Sequence, residues 1–296
     1  MYLKDFTYHK PQNLEEACKI LEQSKNGAVI AGGTDILVEI KKGLRYNDNI
    51  ISLMAIEELR VIDEDTDALH IGSGVTHNEV KNSSLIIKKF PAIVEAASKI
   101  GTDQIRNTGT IGGNLCTGAS CCDMAPVLIS HNASVEISSS TKQRIVSVKD
   151  FFIFHKKTSL KRGEIMTKII VPKVNSSTGY CFEKFGLREA ASISVASLSV
   201  MIKVVNNNCA DSCVVIGAVA PTPKISIKAS EVLYGIDISK LSKNSSVLRK
   251  AGEAAEADSL PLDDIRGTAY FRRNTVKVLA QRAILKAVIR ASNLKI

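Results

Sequence analysis

Two glycine pairs constrain this chain more than any other feature. Each stands beside an apolar run that ends in small, polar residues. The first lies in Ala31-Gly32-Gly33-Thr34-Asp35 and the second in Gly109-Thr110-Ile111-Gly112-Gly113-Asn114. Ahead of the first, Ala28 to Ala31 (Ala28, Val29, Ile30, Ala31) reads as a short strand. After it, Ile36, Leu37 and Ile40 recur at helical spacing as far as Gly43, with Thr34 placed to cap the helix. Glycine permits positive φ and lets another group approach the bare backbone. Successive amides in such a turn curl into an anion-binding concavity, aided by the positive end of a following helix. Neither loop is a G-x-G-x-x-G fingerprint or a phosphate loop ending in Gly-Lys-Ser/Thr. A single pair is equally well a tight turn. Two pairs in one half of a chain suit a ligand with two linked anionic groups, such as the diphosphate of a dinucleotide.

The rest of the chain supplies a mixed scaffold. Its 296 residues are enough for two domains. Asn13 with Glu16, and Thr76 with Glu79, fit capping boxes. Pro91 opens a helix that runs through Ile100 to Gly101, and Ala125 to Ser130 suggests a helical turn or two. Leu69 to Ile71, Ser134 to Ile137, Ile145 to Val148 and Ile165 to Val171 read as strands. Composition shifts at Lys-Val-Asn-Ser-Ser-Thr-Gly, residues 173 to 179, so the expected domains are 1–175 and 176–296. Beyond it, Tyr180 to Phe185, Leu198 to Val204 and Cys213 to Val219 predict a small antiparallel sheet with a turn at Asn206 to Asn208. Helices follow, the last through Val276, Leu279, Ala283 and Ile284. The class is α+β.

Other chemistries find little support. The stretch TIGGNLCTGASCCD, residues 110 to 123, reads as a loop, and its cysteines draw attention first. Cys116, Cys121 and Cys122 form C-x4-C-C, not the C-x2-C pairs of zinc and iron–sulfur sites. Seven cysteines, unevenly spaced and without a signal peptide, do not make a disulfide framework. None of the five histidines pairs at metal-binding spacing, and no Ser/His/Asp set emerges. The net charge of +9 is dispersed, and with no Trp and 5% aromatics there is no base-stacking platform. A basic surface meeting an anionic cofactor or an acidic partner fits better. No apolar run approaches the ~18–20 residues of a membrane span, and the N-terminus lacks an apolar signal core, which points to a cytoplasmic protein. Asp123 closes the small-residue stretch, where it can cap the next turn or accept hydrogen bonds from sugar hydroxyls.

AGGTDIL, QIRNTGTIGGNL and the stretch ending at Asp123 resemble the FAD-binding subunits of molybdenum hydroxylases. That family includes xanthine, nicotinate and CO dehydrogenases. FEKFGLREAASISV, IGAVAPTPKI and DDIRGTAYFRR extend the resemblance through the second half in the same order. TGASCCD and QIRN are most similar to xanthine dehydrogenase FAD subunits. The resemblance implies a two-part FAD-binding domain of the vanillyl-alcohol-oxidase/PCMH type, then a domain with a three-stranded antiparallel sheet and helices. It implies that Ala28 to Asp35 and Thr110 to Asn114 (Thr110, Ile111, Gly112, Gly113, Asn114) wrap the FAD diphosphate. Asp123 would bind ribityl or adenosine hydroxyls. Ile100 and Met166 would be apolar contacts, and Lys184 a further cofactor contact. The loop Gly186 to Val195 would lie near the flavin ring, with Ile193 or a neighbour where CO dehydrogenase-type members carry a covering Tyr. No catalytic residue and no metal ligand is implied. No cysteine-rich insertion is present of the kind that carries an extra iron–sulfur cluster in 4-hydroxybenzoyl-CoA reductase. The expected partners are a large molybdopterin-binding subunit and a small [2Fe–2S] subunit, in a dimer of heterotrimers, with NAD+ or another acceptor taking the electrons. The alternatives are a nicotinate or CO dehydrogenase-type subunit and a self-contained FAD oxidoreductase.

Overall fold

A computed structural model describes residues 4–292. The first half forms two lobes. In the N-terminal lobe, three short strands pair in parallel in the order Thr7–His9, Asn49–Ser52, Gly27–Ile30. Parallel neighbours require crossovers, and the helix Leu14–Gln23 serves as one. Asn13 caps it, accepting from the Glu16 amide at 2.9 Å, but the Glu16 carboxylate accepts from the Gln12 amide at 2.8 Å, so the predicted capping box is only half formed. The second lobe holds a five-stranded antiparallel sheet in the order Ile62–Glu64, Ala68–Gly72, Ile165–Pro172, Ser134–Ser138, Gln143–Ser147. Helices cover it, among them His77–Asn82, which starts on the complete Thr76/Glu79 capping box, and Pro91–Ser98.

The strand Ile165–Pro172 joins the lobes. Successive side chains of a strand point to opposite faces. Ile165 accordingly enters the N-terminal core beside Ile51 and Leu59, while Met166 enters the core of the second lobe.

Two expectations need correction. Residues Ile111–Thr117, read as loop, form a helix despite two glycines. Thr110 caps it through a 3.0 Å bond from the Gly113 amide, and Ile111 and Leu115, four apart, are buried in the core. Tertiary packing thus overrides a glycine penalty of roughly 1 kcal/mol per residue. The C-terminal sheet has four strands, not three: Thr178–Gly186, Ser194–Val205, Asn208–Gly217 and the two-residue Lys224–Ile225. The chain between the prolines 221 and 223 turns back, and Val215 and Ile216 pair with Ile225 and Lys224. The predicted turn is a tight hairpin, with Asn206 and Asn207 both at positive φ, 49° and 62°.

This sheet is covered on both faces. Cys181, Val200 and Val214 face the helices Ser246–Asp258 and Ala269–Ser292. Across the pleat, Phe182 and Val215 belong to the core of the first half. The helix Met124–Ser130 packs there with all seven residues buried. Arg290 completes the junction, paired to Glu95 and donating to the Tyr180 carbonyl at 2.6 Å.

Candidate functional site

The two glycine segments meet. A Cβ built on Gly32 would stand 1.8 Å from the Thr108 carbonyl oxygen and 2.9 Å from the Gly109 nitrogen. Glycine at 32 is therefore what allows the first loop to rest on the entry to the second. Gly33 adopts φ +72°, the left-handed conformation that glycine takes without strain. Beside this contact a cleft of about 630 Å³ opens between the lobes, within the ~300–1,000 Å³ typical of ligand sites.

The loops contribute differently. Among the described residues, the backbone N–H groups of Ala31, Gly32, Gly33, Thr34 and Asp35 have no hydrogen-bond acceptor in the protein. Five consecutive unpaired donors along a cleft form a concavity suited to an anion. The second loop is largely self-satisfied: Ile111 donates to Val75, Gly112 to Ser73, Gly113 to the Thr110 hydroxyl and Asn114 to the Thr110 carbonyl. It offers shape rather than backbone donors. The Asn114 side-chain oxygen accepts from the Cys122 thiol at 3.0 Å. Thr34 does not cap the helix after the first loop. Asp35 holds the cap position without a side-chain bond, and its carboxylate accepts from the Thr117 hydroxyl at 3.3 Å.

Most predicted site residues line the cleft: Val29, Ala31 to Asp35, Ile100, Thr110, Gly112 to Asn114 and Met166. Ala28 and Ile30 do not, because they alternate with Val29 and Ala31 and point into a small core with Ile50. Ile111 likewise turns into the core. Asp123 and Lys184 also lie off the cleft wall. Their side chains pair at 2.7 Å, 6% and 7% exposed. Asp123 does not cap the following helix through its side chain; its second oxygen accepts from the Ser194 hydroxyl at 2.5 Å. Burial pushes the Asp123 carboxyl above its usual range, opposed by the Lys184 ammonium. Lys184 also donates to the Lys99 carbonyl at 2.8 Å, fastening the chain next to Ile100. The loop after Lys184 reaches the same place, since the Ala191 amide donates to the Gly101 carbonyl at 3.2 Å. Ile193 is exposed.

Sequence reasoning missed Ser73, His77, Ile105, Leu160 and Lys156, all on the cleft wall. For Ser73 a signal existed: Gly72-Ser73-Gly74 stands at the end of a strand, as the first glycine pair does. Lys156 and Arg45 flank Glu39 on the wall, at 2.6 and 3.6 Å. Among the described residues no three His, Cys, Asp or Glu side chains are grouped to hold a metal, and the seven cysteines are unbridged. Burial raises the thiol of Cys116 to about 12 and those of Cys121 and Cys122 likewise upward. No helix among the described residues is long and apolar enough to cross a membrane.

A cleft between two lobes, walled by an open row of amides and by a second glycine segment, defines a binding protein for an extended anionic cofactor. Comparison with known proteins gives the family. Residues 4–174 match the FAD binding domain in molybdopterin dehydrogenase, and residues 181–287 the CO dehydrogenase flavoprotein C-terminal domain. The chain is 30% identical to the glyceraldehyde dehydrogenase medium chain of Sulfolobus acidocaldarius, over 96% of this chain and 98% of that one. It is 29% identical to the xanthine dehydrogenase FAD-binding subunit of Escherichia coli, over 96% and 97% of the two chains. A chain of the CO dehydrogenase structure from Hydrogenophaga pseudoflava superposes with TM-score 0.93 at 27% identity, covering 98% of this chain and 99% of that one. The chain belongs to the FAD-binding family of the molybdopterin dehydrogenases. It is a flavoprotein subunit of an oxidoreductase, and its cofactor is FAD.

Proposed function

We propose that this chain is the electron-transfer subunit of a molybdenum-containing hydroxylase of the xanthine dehydrogenase type. It receives electrons from the [2Fe–2S] clusters of a small subunit and delivers them to NAD+ or another acceptor. A large molybdopterin-binding subunit carries the hydroxylation site, and the complex is a dimer of heterotrimers. The observation that carries the cofactor placement is the row of five unpaired amides from Ala31 to Asp35 opposite the second glycine segment. Bound FAD supplies hydride and electron transfer.

The chain's own task is to bind and orient. Ala31 to Asp35 take the diphosphate on their amides, and Gly112 and Gly113 leave room for it. Asn114 adds an amide group. Val29, Ile100 and Met166 are the apolar walls. Ala28, Ile30 and Ile111 hold these walls from behind. Asp123 and Lys184 act at the same site by anchoring the Lys99 carbonyl beside Ile100. No side chain has to exchange a proton with a substrate, so none is assigned a catalytic role. The division at residues 175 and 176 separates the cofactor domain from a domain that shares its core.

Purified chain should be yellow, absorbing near ~450 nm as a flavoprotein does. Anaerobic NADH should bleach that band. A bound flavin that NADH leaves oxidised would refute the NAD+ assignment. Turnover of a substrate by the isolated chain would refute its role as a subunit.

A further inference from the structure

One stretch of the cleft wall is held by its carbonyls. The helix Pro91–Ser98 ends at Lys99, and the helix Asp103–Thr108 starts on Thr102, whose hydroxyl accepts from the Ile105 amide at 3.3 Å. Lys99, Ile100 and Gly101 link the two helices, and Ile100 lines the cleft. The link turns tightly: Gly101 has φ +50°, and a Cβ there would stand 2.7 Å from Ile105 Cγ2. Its carbonyls have no helical partners, so its course depends on what they meet instead.

Each carbonyl meets a donor from another part of the chain. The Lys99 carbonyl takes the Lys184 ammonium, and the Gly101 carbonyl takes the Ala191 amide. The Ile100 carbonyl, which belongs to the wall residue itself, takes Arg106 Nη1 at 2.7 Å. The same nitrogen stands 3.4 Å from the Gly101 carbonyl. The rest of the guanidinium is fixed as well. Nη2 donates to Asp103 at 2.5 Å, and Nε donates to Asn78 Oδ1 at 3.4 Å, on the helix His77–Asn82. A planar fork bonded through three nitrogens sets direction as well as distance. Arg106 is only 8% exposed, and arginine is seldom buried without cause. Pairing with Asp103 is not that cause, since the Asp103 side chain is 69% exposed and would find a cation at the surface. The link's carbonyls are what a buried guanidinium reaches here.

We propose that Arg106 is a positioning residue of the cofactor site: by holding the Ile100 carbonyl it fixes Ile100 as the apolar wall on which a ring of bound FAD packs. The inference rests on the placement of FAD in this cleft. Arg106 is not on the cleft wall and acts through Ile100. A wall already in place binds more tightly than one ordered only on binding.

The test is a double-mutant cycle on FAD-free protein of the full chain, with Arg106→Gln, Ile100→Ala and both together. Kd for FAD is measured by flavin fluorescence, Kd for ADP by calorimetry, and the melting temperature of the apoprotein by circular dichroism. Each single substitution should raise Kd for FAD about tenfold. The double variant should bind within about twofold of the weaker single one, because residues acting through one contact are not additive. A parallel rise in Kd for ADP marks the ring as adenine, and a rise for FAD alone marks it as the flavin; either supports the inference. Effects that multiply to about a hundredfold would overturn it, since Arg106 would then act elsewhere. So would an Arg106→Gln protein that melts lower yet binds FAD within twofold of wild type, which is what a merely structural arginine gives. If wild type takes up neither FAD nor ADP, the placement of FAD itself fails. Should Arg106→Gln not fold, Arg106→Lys, which keeps the charge and loses the fork, enters the same cycle.

Discussion

The contact between the glycine segments predicts a sharp effect for Gly32→Ala. The added methyl would begin 1.8 Å from the Thr108 oxygen and 2.5 Å from its carbonyl carbon, against 3.4–4 Å for ordinary contact. The two backbones must therefore part by about 1.6 Å, which a close-packed interior resists. Overpacking of this kind costs about 3 kcal/mol, at the upper end of the usual range, because the obstacle is backbone rather than a flexible side chain. For a chain of this size that lowers the melting temperature by roughly 6–12 °C. FAD affinity should fall with it, since parting the segments disrupts the row of amides. Gly113→Ala is the control. Its Cβ would meet only the Thr110 hydroxyl, at 2.9 Å, and otherwise open space. Within a helix the substitution is worth about 0.5–1 kcal/mol in favour of Ala, offset in part by the Thr110 cap. Stability should stay near wild type while FAD binds at least tenfold more weakly. Thermal melts of the FAD-free proteins and FAD titrations read both effects. A Gly32→Ala protein that melts within 2 °C of wild type, an interval set by the ~2–4 °C expected per kcal/mol, would refute the reasoning.

Lys184→Met should strand the Asp123 carboxylate in the interior, at a cost of about 3–5 kcal/mol if it stays ionised. Since burial already raises this carboxyl above its unfolded value, the stability it contributes is full below the unfolded pKa and is lost as pH rises through the folded one. Denaturant melts should therefore show a smaller deficit for Lys184→Met at pH 5 than at pH 8, and an equal deficit would count against a buried unpaired charge. Glu95→Ala should remove the Arg290 pairing and the acceptor of the Phe182 amide, destabilising by about 1–2 kcal/mol in urea. Cys122 should resist iodoacetamide at pH 8 in the folded protein and react once it is unfolded in urea, because burial holds it as a thiol. Rapid labelling of Cys122 in the native state, followed by mass spectrometry, would contradict that burial.

Much of the local structure was legible because its causes are local. The Asn13 and Thr76 caps need only a side chain and an amide three residues on. The alternation through Leu198 to Val204 reports a pleat with two buried faces, and the Asn run a hairpin with positive φ. The errors share a cause. Ile111–Thr117 looked like a loop because glycine disfavours helix, yet the buried Ile111 and Leu115 decide it. Thr34 had the chemistry of a cap, but its helix begins one residue later.

The sequence by itself determined where the backbone could be bare: glycines at 32, 33, 112 and 113, with small residues between the second pair and Asp123. It also determined many of the strands and helices and, through its motifs, the family. Only the tertiary structure decided what those glycines do. It set Gly32 against Thr108, 76 positions away, left the first row of amides open and closed the second on Ser73 and Val75. It also tied Asp123 to Lys184 and brought Ser73 and His77 beneath the second segment. The physical reason is that φ preferences and caps act within a few residues, whereas close approach, burial and ion pairing depend on which distant segments the core brings together.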